Sequence, residues 1–394
     1  MSAHCTGAAG DKRRGVIVVL TAVFLAVLLG FVAFAIDVGV LCLARGEAQN
    51  SADAAALAAA MELLDDDQLS GVPDMTDEIA SARLNAVEYA ARNAVRHAAP
   101  VVDANESNDP NGDVVIGYLA NPSDQSETMS FADPNQFNAV QVRVRRTAEQ
   151  NGPVGLFFAR IWGIDSADVT AQATAAVLDG VVGFRVPHPS TAAQLLPLAL
   201  HVDVWNQLLD GTQTTGDQYR YEPETVEVRS GSDGIAELNL YPGAGPTQLP
   251  AGNLGTVDIG SPGNSTADLS RQILEGVSAD DLAYHGGELR LGDDGTLTLN
   301  GDTGLSASIG SDLEAIIGVP RIIPLFDGVP GVGNTAMFHI VGFAGIRIMD
   351  VRLTGAMDSK YVIIQPAFVV DDTVITSDDE TRSYFIYSGA TLVR

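Results

Sequence analysis

The sequence predicts an α+β protein: a long N-terminal transmembrane and stalk helix, then a small α+β domain, then a β-rich C-terminal domain of sandwich-like or mixed-sheet type. Three observations predict it. Val16 to Ile36 is a run of 21 residues without charge or proline. Alanine-rich, proline-free sequence carries the helical signal on to Leu64. From about residue 180, glycine-rich sequence with short apolar runs takes over. The implied division is a basic tail at 1–14, the helix at 15–65, an α+β domain at 66–179 and a β-rich extracytoplasmic domain at 180–394.

The apolar run comes first. At 1.5 Å per residue it is roughly 31 Å long, enough to cross a hydrocarbon core of about 30 Å. Lys12, Arg13 and Arg14 precede it and Asp37 follows, so the positive-inside rule places the N-terminus in the cytoplasm and the remainder outside an inner membrane. Without those four residues and Asp11, the chain holds 19 basic and 48 acidic residues, all expected on the outer side. Ala33-Phe34-Ala35 also fits a small-x-small cleavage pattern, so a secreted or cell-surface adhesion module cut after Ala35 is the alternative.

Composition narrows the classes. A chain of 394 residues suggests two to three domains. With 46% hydrophobic and 18% charged residues it has ample apolar surface to bury, unlike a disordered acidic tail. A net charge of −28 with no basic footprint argues against a nucleic-acid partner. The two cysteines, Cys5 and Cys42, flank the apolar run and exclude a disulfide framework.

Beyond Asp37, Ala48, Ala52, Ala55 and Ala59 fall on one helical face, with Arg45, Gln49 and Asp53 beside it. Such a stripe lets backbones approach closely, so Arg45, Gln49, Asn50, Ala52, Asp53, Ala55 and Ala59 are the candidate packing and assembly residues. One helix of about 50 residues, roughly 75 Å, is expected. Arg14-Gly15, the span, and the stretch from Asp37-Val38-Gly39 through Arg45, Gln49-Asn50 and Ala52-Asp53-Ala54-Ala55-Ala56-Leu57-Ala58-Ala59-Ala60 resemble the N-terminal segment of TadG-like proteins of tight-adherence (Flp-type) pilus machinery. That resemblance implies a membrane anchor, other pilus or secretion proteins as partners, and a pilin-like character for 66–179. Pilins and pseudopilins are cut after a glycine and carry glutamate at the fifth mature position; counted from Gly15 that position is Leu20, so prepilin-peptidase processing is not expected. Many TadG-like proteins also carry a von Willebrand A domain with an Asp-x-Ser-x-Ser metal site, and no such motif occurs here.

Between 66 and 179, Asp65-Asp66-Asp67 and Gly71-Val72-Pro73 end the long helix. A second helix is expected from Thr76 to about His97. Asn108-Asp109-Pro110-Asn111-Gly112 is a turn between it and strands at Val114–Tyr118 and Ala139–Val144. Pro153–Trp162 reads as a short amphipathic helix and Asp168–Leu178 as a strand. The segments Asn138 to Arg146, Phe157 to Ile164 and Ala167 to Ala175 resemble the region after the anchor in TadG-like proteins. Asp103–Asp113 is rich in oxygen donors but lacks the glutamate of an EF-hand and reads as a solvated Asx-rich turn.

In the last half, strands are expected at 225–229, 235–241, 288–291, 296–299, 321–326, 337–348, 361–370 and 383–387, with helices at 266–274 and 312–317. Asp294-Gly295 predicts a type I′ hairpin and Asn300-Gly301 another turn. The runs Phe338–Ile348 and Val362–Val370 predict central, doubly buried strands. Chemistry is sparse. His4, His97, His188, His201, His285 and His339 show no zinc spacing, no Gly-x-Ser-x-Gly elbow occurs, and Gly328–Asn334 lacks a P-loop lysine. Asp280-Asp281, Asp293-Asp294, Asp371-Asp372 and Asp378-Asp379-Glu380 read as solvated turn residues that point apart. No cofactor, metal or small-molecule substrate is therefore expected. The expected function is a non-enzymatic, single-pass inner-membrane protein acting in pilus assembly or surface attachment, with a calcium-dependent or carbohydrate-acting ectodomain as a further alternative.

Overall fold

The structure, a computed structural model, describes residues 12–394 apart from 65, 71–73, 123, 125, 242–251, 262, 264, 332–335, 357–358 and 378–382. The chain folds as two compact units that draw on interleaved stretches of sequence. Both α and β elements are present, as the sequence predicts.

The first unit comprises residues up to Ala58, Arg83–Val115 and Gln141–Thr174. Its axis is helix α1, Lys12–Met61, 50 residues without a break. Helix α2, Thr76–Arg92, enters this unit at Arg83. Three strands follow in the order β1 (Val114–Gly117), β2 (Ala139–Arg146) and β5 (Val169–Ala176). Between β2 and β5 a hairpin projects, formed by β3 (Val154–Gly155) and β4 (Ser166–Ala167).

Two expectations fail here. Helix α2 stops at Arg92 rather than His97 because Arg96 and His97 take left-handed φ values of 51° and 67°, forming a tight turn closed by Val95 and Ala98. Glu47 accepts the Arg96 N–H at 2.7 Å and Arg146 donates to the Val95 carbonyl at 2.7 Å, so two side chains hold that strained turn. Pro153–Trp162 is not one amphipathic helix: Val154–Gly155 is strand, and only Ala159–Trp162 coils, as a 3₁₀ turn ended by Gly163 at φ 82°.

The second unit holds residues 59–82, 116–140 and 175–394. In chain order it contains β6 (Val181–Phe184), β7 (Leu198–His201), α3 (Val202–Leu209), β8 (Tyr219–Glu222), β9 (Glu227–Ser230), β10 (Leu238–Asn239) and β11 (Leu254–Val257). Then come α4 (Thr266–Glu275), α5 (Ala279–Leu282), β12 (Leu289–Arg290), β13 (Leu297–Thr303), α6 (Gly310–Ala315), β14 (Pro320–Gly328) and β15 (Ala336–Arg352). The chain ends with β16 (Tyr361–Pro366), β17 (Val369–Val370), β18 (Val374–Thr376), β19 (Ser383–Tyr384), β20 (Ile386–Tyr387) and β21 (Thr391–Leu392).

The main sheet runs β10-β16-β15-β13-β11-β7-β14, and β14 pairs again with β15. Strands β15, β13, β11, β7 and β14 therefore form a closed ring, which removes exposed edges. β15 is the long, buried, central strand that its apolar run predicts, pairing with β13 over Ala336–Ile340, with β14 over His339–Arg347 and with β16 over Ile346–Arg352. One core packs Phe184 edge-on to Phe343 at 4.9 Å and Phe326 edge-on to Phe338 at 5.0 Å. A second core surrounds Trp205, which is fully buried.

Two turn expectations are corrected. Gly295 is left-handed at φ 75°, but Asp294 is not, so the turn is not type I′. Its flanking strands also part: β12 pairs with β6 and β13 with β15. Asn300-Gly301 is not a turn at all but lies inside β13, opposite Met337 and Ala336.

Candidate functional site

Helix α1 has two unlike halves. Lys12, Arg13 and Arg14 are among its first residues. From Ile17 to Ile36 nearly every side chain is exposed, Gly30 and Ala33 being the exceptions. This helix is long and apolar enough to cross a membrane. From Asp37 onward a buried stripe appears at Asp37, Ala44, Ala48, Ala52, Ala55 and Ala59, the spacing of one helical face.

Asp37 opens the buried half. Its carboxylate accepts the backbone N–H groups of Phe157 at 2.7 Å, Phe158 at 3.0 Å and Ala159 at 2.6 Å. Three successive amides converging on one carboxylate form an anion nest, here filled from within the chain. The stem of that hairpin is anchored too: Leu156 donates to the Asp165 carbonyl at 2.9 Å, and Val154 and Leu156 are buried. Its tip is not. Phe157, Phe158, Ile161, Trp162 and Ile164 are 66, 37, 77, 68 and 54% exposed.

Further along α1 the polar residues act as rungs. Ser51 donates to the Ala90 carbonyl at 3.0 Å on α2, and Gln49 donates to Asp53 at 2.8 Å and to the Gln172 carbonyl of β5 at 3.0 Å. Ala52, Ala55 and Ala59 are fully buried, so the alanine stripe packs within this chain's own fold rather than standing bare on a free stalk. Arg45, beside the stripe, and Asn50, on the far side of the helix, remain exposed.

The Asp103–Asp113 loop is the Asx-rich turn expected, with Asp103, Glu106, Ser107, Asp109, Pro110 and Asn111 exposed, but it is pinned from its inner side. Asp113 is buried, pairs with Arg145 at 3.0 Å and accepts the Asp103 N–H at 3.0 Å. Arg83, also buried, donates to the Ala104 carbonyl at 2.7 Å and to Asn108 at 3.0 Å. The oxygen donors are spent on holding the loop closed. Burial pushes the Arg83 pKa down, partly offset by Glu106.

In the second unit, a cleft of about 260 Å³ is lined by Asp66, Tyr221, Asp233, Arg347, Gln365 and Phe368. Arg347 is buried there, ion-paired with Asp66, bonded to the Gly318 carbonyl at 3.0 Å and stacked 3.7 Å over the Tyr221 ring. Asp66 also accepts the Phe368 N–H at 2.8 Å. Burial raises the pKa of Asp233 and of Glu237, and the charge of Asp217 adds to both shifts. Among the described lining residues Arg347 is the one cation, and it already has a carboxylate and a ring as partners, so the arrangement is structural in its chemistry.

The other carboxylate pairs divide. Asp281 and Asp371 are buried, contrary to the exposed-turn expectation. Asp281 caps α5 through Ser278 and binds Arg271, while Asp371 accepts the N–H groups of Gln194 at 2.7 Å and Thr373 at 2.8 Å. Asp378, Asp379 and Glu380 lie outside the described residues, as does His4. His285 faces the Ile259 carbonyl and His339 faces Asp327, each apart from the others. The Asp37 nest and the bare aromatic tip had no sequence signal beyond the resemblance, since the partners are about 120 residues apart.

Residues 15–62 match the family model described as putative Flp pilus-assembly TadE/G-like, and residues 58–175 match the one described as putative Tad-like Flp pilus-assembly. No curated protein and no solved structure matches the chain. Residues 176–394 lie beyond both family matches. Through residues 15–175, which hold the long helix and the α+β elements, the chain is similar to TadE/G-like Flp pilus-assembly proteins.

Proposed function

We propose that this chain is a non-enzymatic, single-pass protein of the inner membrane that acts in assembly of a Tad/Flp-type pilus or in surface attachment. The basic residues 12–14 stay in the cytoplasm, and the α+β portion to about 179 and the β-rich portion from 180 act outside. The observation that carries this reading is the division of α1: a bare apolar half of membrane length runs without a break into a half wrapped by folded protein. Other pilus or secretion proteins meet it through the exposed side of that helix, where Arg45 and Asn50 stand, and through the outer units.

The two cysteines flank the span, which makes topology directly readable. In spheroplasts, a membrane-impermeant maleimide should label the C5S variant at Cys42 and leave the C42S variant, with Cys5 alone, unlabelled. The reverse pattern would overturn the orientation. Intact mass of the native protein then separates the anchored chain from a module beginning at Ile36, and a mass starting at Val16 would point to pilin-type processing.

A further inference from the structure

We propose that the hairpin tip Phe157–Ile164 is a membrane-seated foot, its aromatic and aliphatic side chains lying in the interface of the same bilayer that α1 crosses. The proposal rests on the single-pass reading above. Four observations lead to it.

Position is the first. Asp37 stands one residue after the bare run, and its carboxylate holds the amides of Phe157, Phe158 and Ala159. A run of about 20 residues rises roughly 30 Å, so if Ile17–Ile36 fills the hydrocarbon core, Asp37 lies at its edge and the tip lies there with it. Burial on the Asp37 face also extends one turn into the run, to Ala33, which is 7% exposed. Folded protein therefore reaches past the end of the apolar segment.

Composition is the second. Two phenylalanines, two isoleucines and a tryptophan within eight residues are exposed while the stem residues Val154 and Leu156 are buried, so the tip is held outward by a fixed stem. A contiguous apolar surface of this kind on an otherwise acidic protein marks an interaction site. Trp is enriched at the bilayer interface, where an apolar body meets a wet headgroup layer, and Phe accompanies it on the apolar face of segments that lie in that interface.

Charge is the third. Arg160 is the single charged residue of the tip and is exposed, whereas Asp165 and Asp168, also exposed, sit behind it at the stem. A cation among apolar side chains suits lipid phosphate, with its stem along the acyl boundary. Carboxylates set further back suit water.

Rigidity is the fourth. Three backbone amides bonded to Asp37 tie the tip to the end of the span, so seating the tip fixes the tilt and rotation of α1 relative to the membrane. A protein anchored by one helix would gain from this a defined orientation of its first folded unit.

The protein contains two tryptophans, and Trp205 is fully buried, so Trp162 reports on the tip. The full chain is reconstituted in phosphatidylcholine–phosphatidylglycerol vesicles, with and without lipid brominated near the top of the acyl chain. The expected result is loss of emission in brominated vesicles that disappears in the W162F variant, and, for the emission that W162F removes, weak quenching by aqueous acrylamide; the variant leaves the buried Trp205 in place. Emission quenched by acrylamide and indifferent to bromine would place the tip in water and overturn the proposal. Emission shielded from both would mean that protein, a second copy or a pilus partner, covers the tip, and would overturn it equally. Vesicle flotation separates the two levels: a chain that fails to float refutes the single-pass reading, and one that floats with Trp162 unquenched by lipid refutes only the foot.

Discussion

The carboxylate of Asp37 accepts the backbone N–H of Ala159 at 2.6 Å across 122 residues of sequence. With Phe157 and Phe158 bound to the same group, one side chain fixes where the hairpin tip meets the long helix. Asp37→Ala removes the acceptor for all three amides. Their exchange with deuterium should accelerate by about tenfold or more, because opening the tip no longer breaks charge-assisted hydrogen bonds. Asp37→Asn keeps one acceptor oxygen and should fall between. Unchanged protection at 157–159 in the alanine variant would show that the stem alone holds the tip.

The turn at Arg96-His97 gives a gain rather than a loss. Both residues occupy left-handed backbone, at φ 51° and 67°, where a side chain costs about 1 kcal/mol or more and asparagine followed by glycine is the favoured pair. Neither side chain is the bonding group in the turn; Glu47 reads the Arg96 N–H, which survives substitution. The double change Arg96→Asn, His97→Gly should therefore stabilise the chain by about 1 kcal/mol, read as a higher urea midpoint at unchanged slope.

The sequence features that anticipated structure are local ones. An uncharged run and an alanine stripe at helical spacing mark α1 because each helix residue is specified by neighbours three and four positions away. The apolar run Phe338–Ile348 marks β15 because a strand with partners on both edges and cover on both faces has no polar side to show. What escaped depends on distant partners. β6, β7 and β11 are four residues each, too short to carry a periodic signal, and are defined by pairing with strands tens to more than a hundred residues away. Asp281 and Asp371 looked like turn carboxylates until Arg271, Ser278 and the amides of Gln194 and Thr373 were brought to them. Phe157 to Trp162 has the composition of a core helix, and only the hairpin stem reveals that it points outward.

Gly301 shows the same dependence on place, and can be tested. A Cβ at this position would overlap the Thr256 carbonyl oxygen and approach the Phe338 ring at 2.8 Å, both fixed parts of the closed ring of strands. Its glycine serves close packing between β11, β13 and β15, not a turn. Gly301→Ala should cost about 1–3 kcal/mol, as overpacking does. The Gly295→Ala variant meets no atom within 4 Å and pays only the left-handed backbone cost, so it should destabilise less. Equal losses in the two would mean that Gly301 acts through conformation alone.

Acid response should be non-monotonic, because the buried carboxylates of the second unit are shifted in opposite directions. Burial raises the pKa of Asp233 and Glu237, with the neighbouring carboxylates adding to it, so the folded chain binds their protons more readily than the unfolded chain. Stability contributed by these two rises as pH falls from neutral through their raised values. Asp281 is opposite: burial would raise its pKa, but the Arg271 guanidinium and the hydroxyl and N–H of Ser278 outweigh it and hold it below the usual range. Its contribution is complete above the ordinary carboxylate pKa of about 4 and is lost as pH drops further. The melting midpoint of the full chain in detergent should therefore peak at mildly acidic pH. Asp233→Asn should flatten the neutral limb and raise the neutral midpoint by about 1–3 °C, since the new amide can donate to the buried Gln365 Oε1, which has no partner. Asp281→Asn should lower the neutral midpoint and remove part of the fall below pH 4, whereas a midpoint that declines steadily from pH 7 to pH 4 in the wild type would show that Asp233 and Glu237 are ionised at no cost.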